Sequence, residues 1–210
     1  MNWRAMLLSA ALLEMAGCAQ VRSITPAGPA NDTAWQGRRA QLMQITDWEM
    51  LGRVGMSNGS DGGSGSMDWL QHGDQLKFDF HGPFGSGALD ITGDGDVLHV
   101  KSSRGDDFIT TNPEHDFMRL LHVPLPVLRM RYWVIGLPAP KAAFTRQLDA
   151  KGHLVELAQL GWQVSYFTYA RFNGHDLPTR LLIQRGPVRI KLAIQHWQLG
   201  HPPGPQAPVK

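Results

Sequence analysis

One thiol and nine imidazoles are the obvious nucleophiles and metal ligands in this chain of 210 residues, and their spacing limits what they could do. The histidines are scattered. No His-Glu-x-x-His pair sets two imidazoles on one helical face, and no Gly-rich phosphate loop closes on Lys-Ser or Lys-Thr. No Gly-x-Ser-x-Gly elbow between a strand and a helix is read. Gly93-Asp94-Gly95-Asp96 has the texture of a calcium loop, but the terminal Glu that would complete the ligand set is missing. Sequence spacing leaves open a triad assembled in space from distant residues, so a hydrolase or metalloenzyme is one reading.

The single cysteine is better placed. One positive charge at Arg4, the short apolar run Ala5 to Leu13 and the small residues before Cys18 are the parts of an export signal. The run is too short to span a bilayer. Met15-Ala16-Gly17-Cys18 resembles the lipobox of bacterial lipoproteins, with Met15 where Leu is usual and Glu14 at the end of the apolar run. The resemblance implies that the thiol takes a diacylglyceryl group, that cleavage falls before it and that the new amino terminus is acylated. With one Cys no internal disulfide can form, and acylation disposes of a thiol that an oxidising compartment would otherwise attack. Several acyl chains hold durably where one does not. Ala19 is not the Asp that retains enterobacterial lipoproteins at the inner membrane, so the rule points to the periplasmic face of the outer membrane.

The expected organisation is a signal over 1–17, an acylated Cys and a Pro/Gly/Ser-rich tether over 18–33, one folded body over 34–199, and a Pro-rich tail over 200–210. Lys and Arg number 20 against 18 Asp and Glu, a net charge of +2. That balance, without a basic run, gives no nucleic-acid footprint.

The body reads as strands. Trp35, Leu42 and Ile45 place a helix over 34–45. From Trp48 the period is two, with Trp48, Met50, Val54 and Met56 on one face. Residues 57–66, rich in Gly and Ser, read as a flexible hairpin loop. Leu76, Phe78 and Phe80 then alternate with Lys77, Asp79 and His81. Leu89 and Ile91 flank Asp90, and a strand follows over 97–101. Between the first two of these arms Gly82-Pro83-Phe84-Gly85 has turn chemistry and carries an apolar ring at its tip. That ring either folds under its own hairpin or inserts into something apolar. Pro113 after Asn112 starts a helix with Phe117, Leu120 and Leu121 on one stripe. A second helix over 128–135 ends at Gly136. Strands over 144–148, 154–160, 162–172, 178–184 and 188–199 complete the chain. Short turns make successive strands antiparallel neighbours, and a long antiparallel sheet must curl. The fold class is mainly β: a curled antiparallel sheet with a trough that short helices cover or plug.

The order and spacing of several short pieces resemble the LolB family. They are Gly82-Pro83-Phe84-Gly85 between two strands, Pro124 to Val127, Trp133 to Pro138, Gln159 to Trp162 with Val164 and Tyr166, Leu177-Pro178, and Arg189 to Leu192 with Trp197. The resemblance implies an incomplete barrel around an apolar cavity that holds the acyl chains of client lipoproteins. It implies a LolA-like periplasmic carrier as partner, delivery into outer-membrane lipid, and no cofactor beyond the diacylglyceryl and N-acyl groups on Cys18. It also implies a membrane-inserting loop whose apolar residue, usually Leu, is Phe84 here. Periodicity and family together nominate Trp48, Met50, Trp69, Phe78, Phe80, Leu98, Trp133, Trp162, Tyr166 and Leu192 as cavity residues, with core packing as the alternative for each. Arg129, Arg131, Arg189 and Lys191 either ring an opening, meet an acidic carrier or are ordinary solvated side chains. The expected protein is a non-enzymatic monomeric receptor, and a scaffold lipoprotein with a filled core is the other reading.

Overall fold

A computed structural model describes residues 29–59, 61–83 and 87–200. Cys18, Phe84 and Gly85 lie outside them, as do the expected signal, most of the expected tether and the tail from His201.

The chain forms α1 (Pro29–Leu42), then β1 (Asp47–Asn58), β2 (Asp61–His72), β3 (Gln75–His81), β4 (Ala88–Asp94), β5 (Val97–Ser102) and β6 (Asp107–Thr110). Two helices follow, α2 (Pro113–Leu121) and α3 (Val127–Trp133). The sheet resumes with β7 (Phe144–Leu148), β8 (Leu154–Gln159), β9 (Trp162–Phe172), β10 (His175–Arg185) and β11 (Val188–Leu199). All eleven strands lie in one sheet in the order β6-β5-β4-β3-β2-β1-β11-β10-β9-β8-β7.

The two edges, β6 and β7, are joined in sequence by residues 111–143. That connection must therefore cross from one end of the sheet to the other, and hydrophobic burial fixes its route. Phe117, Val123, Leu125, Val127, Met130 and Trp133 on it are all sealed from solvent in the same core as the strands. The sheet is curled but not closed, and α2 and α3 are its plug.

Strand alternation builds the wall that the plug meets. Across six strands the register joins Val100, Ile91, Phe78, Trp69, Met50 and Trp197 in one row of one face. A second row runs from Val54 through Leu192 and Leu181 to Tyr166. Successive Cβ atoms point to opposite faces, so each row is dry while most of its neighbours in sequence are wet, buried Ser165 beside Tyr166 being an exception.

Several local features differ from the sequence reading. Residues 61–66 are strand, not loop, paired residue for residue with β1 from Asn58↔Asp61 onward. The glycines fit because the neighbours lie so close. A Cβ on Gly65 would stand 2.2 Å from the His81 carbonyl oxygen and 2.6 Å from the Phe80 ring. β6 has only four residues after a polar turn, too few to show a period. Helix α1 starts and ends earlier than its apolar spacing suggests, and Asn112 precedes α2 without any side-chain capping bond. Finally, β10 begins at His175, with Asn173 and Gly174 both at positive φ forming the two-residue hairpin. Pro178 is tolerated inside that strand beside a register shift.

Helix α1 is fixed at the far side. Trp35 is buried, Arg146 pairs with Asp32 at 2.8 Å, and Arg38 donates to the Asp176 carbonyl oxygen.

Candidate functional site

The concave interior is aromatic. Trp48 lies 5.5 Å from Trp69 and 5.4 Å from Trp197, and Trp69 meets Phe78 edge-on at 5.4 Å. Trp133, the last residue of α3, lies 6.3 Å from Trp162 on the sheet. Of the ten residues nominated from sequence, nine are buried and Phe80 is half-buried.

Buried indoles and phenols need partners. Gln159 supplies several: its Oε1 accepts from Trp133 Nε1 at 2.9 Å and from the Ala139 amide at 2.8 Å, while its Nε2 donates to the carbonyls of Ala139 and Ala142. Trp197 donates to the Pro178 carbonyl at 2.9 Å. Tyr166 donates to the Trp133 carbonyl, and full burial pushes its phenol well above the ordinary tyrosine range. These bonds clamp the end of α3 and the loop after it onto β8 and β9.

At one end of the interior the packing opens into a cavity of about 410 Å³. It lies between the end of α1, the start of β1, the β2–β3 turn, α3 and the loop to β7. Leu42, Ile45, Trp48, Ile135, Leu137 and Phe144 form its apolar wall, and Arg39, Asp74, Arg131 and Lys141 its charged part. Trp48 is the nominated residue that reaches this space. Met50, Trp69, Phe78, Leu98, Trp133 and Tyr166 pack behind it, whereas Leu192 and Trp162 border separate shallow hollows. Sequence reasoning missed Leu42, Ile45, Ile135, Leu137 and Phe144 as lining. The unbroken apolar run from Trp133 through Ala139, all buried, is the signal that could have found two of them.

Arg131 is the unusual member. Its Nη2 contacts Asp74 at 3.1 Å and the Tyr132 hydroxyl at 3.0 Å, and its guanidinium lies over the Tyr132 ring at 5.0 Å. Its Nε and Nη1 are buried and have no acceptor among the described residues. Leaving such donors unmade costs about 1–3 kcal/mol each. Of the other nominated cations, Arg129 borders an adjoining hollow that shares Arg131 and Lys141 with the cavity. Arg189 and Lys191 alternate with the buried residues of β11 and so face the opposite side of the sheet.

The Gly82–Gly87 loop is closed by the Gly82 amide donating to the Gly87 carbonyl at 2.8 Å, with Gly82 half-buried and Pro83 exposed. Gly55 to Gly59 does satisfy Gly-x-Ser-x-Gly spacing, but Ser57 sits in β1 opposite Arg189 and Gly62, and a strand follows it. It is no nucleophile elbow. No cluster of three or more metal-ligating side chains occurs among the described residues.

The sequence family model described as outer membrane lipoprotein LolB matches residues 46–197. The chain belongs to the LolB family. Relatives named outer-membrane lipoprotein LolB include that of Nitrosococcus oceani, 33% identical over 95% of this chain and 100% of the relative. That of Ectopseudomonas mendocina is 36% identical over 93% of this chain and 96% of its own length. A solved LolA superfamily protein from Nitrosomonas europaea shares the fold, with a TM-score of 0.52 at 8% identity over 82% of this chain and 94% of that one. For a LolB family member, the cavity and its plug are the parts of the fold that bear on function.

Proposed function

We propose that this chain is an outer-membrane receptor, anchored through acyl groups on Cys18, that takes acylated lipoproteins from a LolA-like periplasmic carrier and places them in the membrane. The observation that carries the reading is the apolar cavity between α3 and the curled sheet, in a chain of the LolB family. An acyl chain gains about 0.8 kcal/mol per CH₂ on leaving water, so a client with several chains needs an apolar shelter to cross the periplasm. At about 410 Å³ the cavity is near the low end of the roughly 300–1,000 Å³ that takes one drug-sized ligand, whereas a client carries several acyl chains. Admitting a whole client therefore requires α2 and α3 to draw back, which opens the aromatic rows of Trp48, Met50, Trp69, Phe78, Phe80, Leu98, Trp133, Trp162, Tyr166 and Leu192 to the acyl chains.

Direction comes from differences in affinity: carrier, receptor and bilayer hold the chains with increasing strength, and no chemical step by this protein is needed. Gly82, Pro83, Phe84 and Gly85 form the loop that enters the membrane. Burying one Phe ring is worth roughly 1.5–3 kcal/mol, little beside the anchor, so Phe84 directs the mouth rather than holding the protein down. The protein acts as a monomer, with its opening free to meet the carrier.

The test is transfer of a labelled acylated client from purified carrier to liposomes bearing this protein. Delivery that depends on this chain supports the reading; clients that stay on the carrier overturn it.

A further inference from the structure

We propose that Arg131 is the recognition point for the polar head of the acylated client, its guanidinium donating to ester and amide carbonyl oxygens while an acyl chain lies along Leu42, Ile45, Trp48 and Ile135. This rests on the receptor reading and adds to it a polar determinant at the cavity.

Two observations converge on this residue. Among the described residues its Nε and Nη1 are buried without an acceptor, whereas Arg146 and Trp162 each leave a single nitrogen so, and neither of those two borders this cavity. Arg131 also stands where the cavity meets the adjoining hollow, between the apolar wall and the outer charged residues.

An apolar wall beside a fork of unmade donors fits a ligand that carries hydrocarbon and clustered acceptor oxygens. Asp74, 3.1 Å from Nη2, already balances the charge, which favours neutral carbonyls over a phosphate.

The test uses the intact lipoprotein in neutral vesicles, identical for every variant. Three photoreactive probes are compared by crosslink yield at the cavity: a triacylated cysteinyl peptide, a chain-matched alkane and phosphatidylglycerol. Arg131→Met should lower capture of the peptide about tenfold or more, as loss of a charge-assisted hydrogen bond implies. The alkane should be captured as before, which also reports that the cavity is intact. Asp74→Asn should leave peptide capture equal or higher. Loss of alkane capture in Arg131→Met overturns the proposal. So does an equal loss in Asp74→Asn, which would make the ion pair the only role of Arg131. Phosphatidylglycerol depending on Arg131 as strongly as the peptide overturns it too. If the wild type captures no probe, the receptor reading falls, and this inference with it.

Discussion

The Tyr166 hydroxyl, on the sheet, donates to the main-chain carbonyl of Trp133 at 2.9 Å, so the last residue of α3 is bolted to the middle of β9. Tyr166→Phe keeps the ring and removes the bolt. The variant should lose about 1–2 kcal/mol of stability in urea unfolding and take up a fluorescent fatty acid faster. The phenol also carries a pH signature. Its folded pKa is raised above the unfolded value of about 10, so its contribution is complete below that pH and is lost as pH rises beyond it. Tyr166→Phe should blunt this alkaline loss, as read from melts between neutral pH and pH 11.

Gln159 is the second fastening of the same segment, with its amide engaged by Trp133, Ala139 and Ala142. Gln159→Leu preserves volume but strands the Trp133 indole and the Ala139 amide in a dry interior. It should cost about 3 kcal/mol in denaturant titration, well above a typical surface substitution.

Asp68, Asp79 and Asp90 stand opposite one another on three adjacent strands. Burial, then the charge of Asp79, raises the Asp68 pKa. A carboxyl whose folded pKa exceeds its unfolded one weakens the fold at neutral pH, and the penalty fades as pH falls through the folded value. Asp68→Asn should therefore stabilise at pH 7, by about 0.5 kcal/mol or less for so exposed a group, with the gain gone near pH 3. Paired thermal melts at the two pH values decide it.

Phe84→Glu should leave folding and client capture intact and impair release into liposomes. Client pull-down and transfer, measured on the same preparation, separate the two steps; undiminished delivery counts against the loop's role.

The strand periods of β3, β4, β9 and β11, the two short helices and the break at Gly136 are legible because each follows from side-chain alternation or backbone sterics within a few residues. The run 61–66 is opaque for the opposite reason. Its glycines look like a linker, and only the backbone of β3 lying against Gly65 explains why they are strand.

By itself, then, the sequence determined the curled antiparallel sheet, its dry face and the family, since these depend on residue type, order and spacing. Only the tertiary structure decided which part of that face is packed and which is open. The lining of the cavity joins α1, β1, the β2–β3 turn and the loop after α3. Those segments lie far apart in the chain, and periodicity carries no information about which of them meet. Arg131 shows the same limit: a charged residue on a short helix looks solvated until burial takes away its water and leaves two donors without acceptors.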